Sequence, residues 1–272
     1  MSRTTHHVGR FTLYVLLSIL TACAETPRVT PTPVTIRLAV SSTLSPLLDA
    51  LSSLYRADRP WVTLQSESLD TRAAIDRLKS GSIDLAFVSW LPSDLDPHVW
   101  RSPLAHDAVA LIVNPANPVT GLSLAQLRDI FQGRAADWSP YGWTQETLIV
   151  VSREDGSGTR AAFEEPVMEG RPVTLNAIVQ PDTDAVIDFV ARTPGAIGYV
   201  SRARATGAVK PIAVEGVEPG VVTAVNKTYP LGRLLFILAQ AEPTGGARDF
   251  VAWLLGADGQ QVIAERGFGR VR

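Results

Sequence analysis

Apolar positions along the chain switch between two spacings. Short runs that alternate or stay continuously hydrophobic occupy 36–40, 61–65, 83–88, 109–113, 148–151 and 196–200. Between them the apolar residues fall three and four apart, as in Leu47, Leu48, Leu51, Leu54 and Tyr55, in Ala74, Ile75 and Leu78, and in Val186, Phe189 and Val190. The first spacing puts side chains on the faces of a strand and the second gathers them on one side of a helix. Strand and helix therefore alternate, which predicts an α/β sheet whose strand C-termini line a crevice. Local punctuation fits. Ser45 as cap with Pro46 at the first helical position opens one helix. Asp70 caps a helix over 72–80 that Gly81 stops, and Ser123 with Gln126 forms a capping box for a helix ending at Phe131. A helix over 182–193 closes at Pro194-Gly195, and two amphipathic helices, 247–255 and 258–266, finish the chain. The stretch 221–225 reads as a further strand. The loop 137–143 is turn-rich and aromatic, with its tryptophans assigned to packing.

Length and composition narrow the class. With 272 residues, 46% hydrophobic and 19% charged, the chain suits one large or two medium domains and is excluded from the disordered class. A net charge of −2 argues against a nucleic-acid partner, so any anion must be held by local donors. At the N-terminus Arg3, His6, His7 and Arg10 precede an apolar run over 11–20 that is too short to span a bilayer. It ends in Leu20-Thr21-Ala22-Cys23, which resembles a bacterial lipoprotein signal. That likeness implies a signal peptide at 1–22, cleavage before Cys23, acylation of Cys23 and an extended tether over 23–33. Several acyl chains would attach the protein stably to a membrane. Cys23 is the only cysteine, which excludes an internal disulfide.

The candidate chemistry lies in Arg153-Glu154-Asp155-Gly156-Ser157-Gly158-Thr159-Arg160. A strand precedes it and a helix follows, so the first-turn N–H groups are unpaired and the positive end of the helix dipole faces outward. Glycines allow close backbone approach, Arg153 supplies a charged fork, and Ser157 and Thr159 supply hydroxyls. The competing description makes Ser157 an N-cap and the arginines surface charges. Ser42-Thr43 before the first helix, Thr71 at the start of the second and Ser89 after the 83–88 strand fall on the same predicted edge.

Several motifs in order resemble the phosphate-binding lipoproteins that serve high-affinity phosphate ABC importers. They include Ser42-Thr43, Ile83-Asp84-Leu85-Ala86 with Ser89, Asn114-Pro115-Ala116-Asn117-Pro118-Val119, Leu124-Ala125-Gln126-Leu127-Arg128-Asp129-Ile130-Phe131, the 153–160 run, Pro194-Gly195-Ala196-Ile197-Gly198-Tyr199-Val200 and Tyr229-Pro230-Leu231. The resemblance implies a type II, two-lobed periplasmic-binding fold with two chain crossovers and the ligand between lobes. Lobe 1 would comprise 34–107 and 231–272, and lobe 2 would comprise 108–230. It implies phosphate ligands at Ser42, Thr43, the Leu44 backbone N–H, Thr71, Ser89, Arg153, Ser157, Gly158 and Thr159. It also implies ABC permease subunits as partners, an extracytoplasmic monomer, no cofactor and no metal. Two positions depart from the family pattern: Thr71 stands where a serine is usual, and Trp90 follows Ser89 where many relatives have arginine. Other branches have a carboxylate at the Ser89 position, able to accept the proton of monohydrogen phosphate. Without it, selection over sulfate rests on hydroxyl lone pairs or on Asp155, whose alternative role is to orient Arg153.

Two other functions fit parts of the pattern. A binding protein or sensor for another oxyanion such as sulfate would use the same clamp. A serine hydrolase would use Ser157 as nucleophile and needs a base; the histidines beyond the leader, His98 and His106, are expected in the loop after Trp90. Two histidines without cysteine make a poor zinc site.

Overall fold

The computed structural model of the protein describes Met1, 32–144 and 146–271. The expectations for the signal segment, for Cys23 and for nearly all of the tether concern residues outside this set. Met1–Thr32 and Pro33–Arg272 are separate units, and the rest of this description concerns the second.

The described elements in chain order are β1 (Val34–Ser41), α1 (Ser45–Ala57), β2 (Val62–Leu69), α2 (Thr71–Lys79), β3 (Leu85–Val88), β4 (Trp100–Val113), β5 (Gly121–Leu122), α3 (Leu124–Phe131), β6 (Ile149–Arg153), α4 (Gly158–Met168), β7 (Ile178–Gln180), α5 (Thr183–Arg192), β8 (Ala196–Ser201), β9 (Lys210–Val214), α6 (Val221–Val225), β10 (Gly232–Ala239), α7 (Gly245–Leu255) and α8 (Ala257–Glu265). The strands pair in the order β2-β1-β3-β10-β4-β8-β6-β7, with β9 on β4 and β5 on β9. This is the mixed α/β, two-lobed architecture that the alternation and the resemblance imply.

Two strands carry the chain between its halves. From Trp100 to Ala108, β4 is antiparallel to β10; from Val109 to Val113 it pairs with β8. Its return partner β10 enters at Gly232 and continues against β3. The packed interiors divide accordingly. β1, β3, α1, α7 and α8 close around Leu38, Leu51, Phe87, Leu235 and Phe250. Around Leu111, Phe131, Trp138, Phe163 and Tyr199 a second interior forms from β4, α3, α4 and β8. Phe163 stacks on Tyr199 at 4.2 Å between ring centroids, which fixes α4 against β8. Trp138 is a packing residue, with its Nε1 donating to the Gly195 carbonyl at 2.8 Å.

Four local expectations are corrected. The 221–225 run is the single-turn helix α6 rather than a strand. Its valines have the β-branched bias of strands, but Gly220 starts a turn in which Thr223 Oγ1 bonds the Gly220 carbonyl (3.1 Å) and the Ala224 N–H closes a helical turn on the same carbonyl (2.9 Å). Ser45 is not a cap: Leu44 occupies the N-cap position without a side-chain bond, and the Ser45 hydroxyl reaches Ser68 instead. β4 begins nine residues earlier than the apolar run, because its Trp100–Ala108 part mixes polar residues with Pro103, opposite which the β10 register shifts. His106 is consequently in a strand, bridged to Gly269, and not in the loop after Trp90. The capping box on Ser123 and Gln126, the Asp70 cap and the positive φ of Gly81 (73°) are as the sequence predicts.

Candidate anion-binding site

Four helices begin at one point between the halves. α1 follows the Ser42-Thr43 loop at the end of β1, α2 starts at Thr71, α4 at Gly158 and α5 at Thr183. Four positive dipole ends form an environment for an anion before any side chain is considered.

Side chains from both halves meet there. Thr43 Oγ1 lies 3.0 Å from Thr159 Oγ1, Thr71 Oγ lies 3.4 Å from Ser89 Oγ, and Ser42 Oγ lies 3.3 Å from Thr183 Oγ1. Thr43, Thr71, Ser89, Arg153, Ser157 and Thr159 are all buried, as is Gly158. A backbone contact from Arg72 N–H to the Gly156 carbonyl (3.2 Å) joins the start of α2 to the 153–160 loop. Gly158 is required by the approach: a Cβ there would sit 2.6 Å from Ser89 Oγ and collide with Thr71 Oγ1 as well.

Arg153 ends β6 with its backbone N–H donating to the Tyr199 hydroxyl at 3.3 Å, and Tyr199 also bonds Ser152 Oγ at 2.8 Å. Burial raises the Tyr199 phenol pKa, so this support stays neutral at physiological pH. The Arg153 Nε and Nη2 pair with the Glu154 carboxylate (2.8 and 2.7 Å), and Nη2 also reaches Ser42 Oγ (3.5 Å) and the Pro181 carbonyl (3.3 Å). Among the described residues its Nη1 has no protein partner. Asp155 does not orient Arg153; its side chain is 95% exposed and pairs with Arg160. Glu154, adjacent in sequence, takes that role because β6 ends with its side chain folded back along the guanidinium.

Ser157 satisfies both descriptions of it. As N-cap of α4 its Oγ accepts from Arg160 N–H at 3.3 Å, which leaves its own proton to donate. Among the described residues the Gly158 and Thr159 N–H groups find no acceptor. Leu44 is less favourably placed, since its N–H closes a turn on the Ser41 carbonyl at 2.8 Å and its side chain is in the core. Nearby, Ser41 Oγ is buried without a partner.

One residue at this junction is missing from the sequence reading. Arg233, at the start of β10, donates through Nη1 to the Ser89 carbonyl (3.3 Å) and to Thr159 Oγ1 (3.2 Å), and through Nε and Nη2 to Asp107 (2.9 and 2.8 Å). It lies 80 residues from the 153–160 motif, and only the pairing of β10 with β4 brings it there. Nothing at Tyr229-Pro230-Leu231-Gly232-Arg233 distinguishes it from a surface arginine. Arg204 is similar, donating to the Ser42 carbonyl at 2.8 Å.

Chemically the arrangement is rich in donors and poor in acceptors. Glu154 and Asp107 are engaged by arginines and Asp70 Oδ1 by the α2 N-terminus, so the acceptors left at the junction are hydroxyl lone pairs and Asp70 Oδ2, beside Gly156. Ser157 has no basic side chain bonded to its Oγ. Among the described residues no cluster could hold a metal ion, and no helix is long and apolar enough to cross a membrane.

Known proteins share this architecture. Among solved structures, a putative phosphate ABC transporter substrate-binding protein from Clostridium perfringens, with bound phosphate, superposes with a TM-score of 0.83 at 27% identity. That match covers 88% of this chain and 100% of the other. An ABC-type phosphate transport receptor from Vibrio cholerae gives a TM-score of 0.74 at 27% identity, covering 86% and 99%. The phosphate-binding protein PstS of Pseudomonas aeruginosa is 27% identical over 84% of this chain and 80% of its own length, and PstS of Bacillus subtilis is 24% identical over 84% and 78%. A family model described as PBP superfamily domain matches residues 25–258. With the two-lobed fold and the interlobe cluster of donors already established, that match places the chain in the PBP superfamily.

Proposed function

We propose that the protein captures inorganic phosphate between its halves and delivers it to the permease of an ABC importer. The observation that carries this reading is the meeting of buried Arg153 and the α4 start at Ser157, Gly158 and Thr159 with Thr43, Thr71 and Ser89 across the cleft. Relatives and structural neighbours named as phosphate-binding proteins support it. Ser42 and the Leu44 N–H complete the proposed ligand set, the latter by exchanging its turn bond for the anion. Lobe 1 is assigned to 34–107 and 231–272 and lobe 2 to 108–230, with the boundaries on β4 and β10. Cys23 is assigned as the lipidated residue of an extracytoplasmic, membrane-attached protein, on its leader-like surroundings.

Charge-assisted hydrogen bonds contribute about 1.5–3 kcal/mol each. A micromolar affinity corresponds to about 8 kcal/mol, so the donors present exceed that need and offset desolvation. With Ser89 where a carboxylate could stand, fewer acceptors can receive the proton of monohydrogen phosphate, so the margin over sulfate is narrower than at a carboxylate-bearing site. Calorimetric titration of the full-length protein with phosphate and with sulfate tests the proposal. Tighter binding of phosphate is expected; no binding at millimolar phosphate, or equal affinity for sulfate, overturns the assignment.

A further inference from the structure

Arg153 and Arg233 differ in what they leave free. Among the described residues Arg153 keeps Nη1 without a protein partner, as a ligand-contacting cation should. Arg233 is committed at every guanidinium nitrogen: Nε and Nη2 to Asp107, Nη1 to the Ser89 carbonyl and Thr159 Oγ1. Its bonds reach one wall of the cleft each, Ser89 at the end of β3 and Thr159 in the first turn of α4. Its brace lies on the hinge, because Arg233 and Asp107 are directly opposite on the two crossing strands. The pair is deeply buried, at 7% and 1% side-chain exposure, and Asp107 Oδ1 accepts a further bond from Ser201 Oγ at 2.7 Å.

A guanidinium only donates. Thr159 Oγ1 must therefore accept from Arg233, which occupies one lone pair and leaves the single hydroxyl proton to point away from the guanidinium, while the other lone pair can accept from Thr43 3.0 Å away. Resting on the phosphate reading above, we infer that Arg233, braced by Asp107, is a positioning residue of the anion site: it sets Thr159 as a donor to the bound anion and ties the Ser89 wall to it across the hinge. A buried ion pair is by itself a poor source of stability, since desolvation offsets its attraction, and its placement against two site residues is the feature needing a cause.

A double-mutant cycle on phosphate affinity in the full-length protein separates this role from a general structural one. Arg233→Gln is expected to weaken phosphate binding at least tenfold, Thr159→Val by a comparable factor, and the double variant by no more than about threefold beyond the weaker single, because both remove one contact. Losses that multiply, or an Arg233→Gln protein with wild-type affinity, overturn the inference. Should Arg233→Gln leave Asp107 uncompensated and fail to fold, Arg233→Met with Asp107→Leu removes both charges together; it is expected to melt near the wild type yet bind phosphate as weakly as Thr159→Val. Wild-type affinity in that folded variant overturns the inference alone, whereas a wild-type protein that takes no phosphate overturns the phosphate reading with it.

Discussion

Arg153 faces the cleft with two nitrogens on Glu154 and one without a partner, so its removal has two effects on an anion. One charge-assisted donor disappears, and the Glu154 carboxylate loses the cation that neutralises it. Arg153→Ala should therefore weaken phosphate binding by roughly 10- to 150-fold from the lost donor, corresponding to about 1.5–3 kcal/mol, with repulsion adding to it. Glu154→Gln keeps the fork and removes the repelling charge, so it should bind phosphate at least as tightly as the wild type; titration calorimetry on the pair shows whether charge or geometry dominates. Gly158→Ala probes close approach. A methyl placed against Thr71 and Ser89 pushes the walls apart, and titration calorimetry is expected to show a loss of at least tenfold in affinity. The sequence made Arg153, Ser157, Gly158 and Thr159 legible because their chemistry is contiguous. Thr43, Thr71 and Ser89 were legible through their places at strand and helix ends.

At the scale of elements, the caps separate folding from binding. The Ser123–Gln126 box opens α3, which packs its Leu127, Ile130 and Phe131 into the second half and contributes nothing to the cleft. Ser123→Ala should cost about 1 kcal/mol and lower the melting temperature by roughly 2–4 °C, with phosphate affinity unchanged in the same protein. β4 carries a pH-dependent element. Burial, then the charge of Lys227, lowers the His106 pKa below its usual 6.5. Between those values the unfolded chain binds more protons than the folded one, so stability rises with pH through this window and is lost as pH falls through it. Melting curves from about pH 7.5 to about pH 5 should show this decline, and His106→Gln should flatten it. A decline of equal slope in the variant would assign the acid sensitivity elsewhere. α6 shows why some elements were not legible: five residues of strand-like composition form one helical turn, closed by the Ala224 N–H and the Thr223 hydroxyl on the Gly220 carbonyl.

For the whole molecule, binding and stability are linked. Phosphate at one hundred times its dissociation constant stabilises the closed form by about 2.7 kcal/mol, which for a chain of this size corresponds to a rise of roughly 5–10 °C in melting temperature. At the same phosphate concentration the shift should fall to about half or less in Arg153→Ala and persist in Ser123→Ala from a lower baseline. A net charge of −2 gives no favourable field for an anion, so affinity comes from local donors and convergent helix ends. Closure is held by contacts between the halves, including Arg233 on Thr159, Arg204 on the Ser42 carbonyl and Arg72 N–H on Gly156.

Periodicity by itself determined the alternating strands and helices, and local chemistry determined the caps and the first half of an anion site, because both depend on residues within a few positions of one another. The ordered motifs extended this to the opposite wall. The expectation that Asp155 orients Arg153 gives way to Glu154, which the direction in which β6 ends folds back on the guanidinium. Arg233 and Asp107 were decided only by tertiary structure: 126 positions separate them along the chain, and it is the antiparallel pairing of β10 with β4 that sets them opposite each other and beside Thr159.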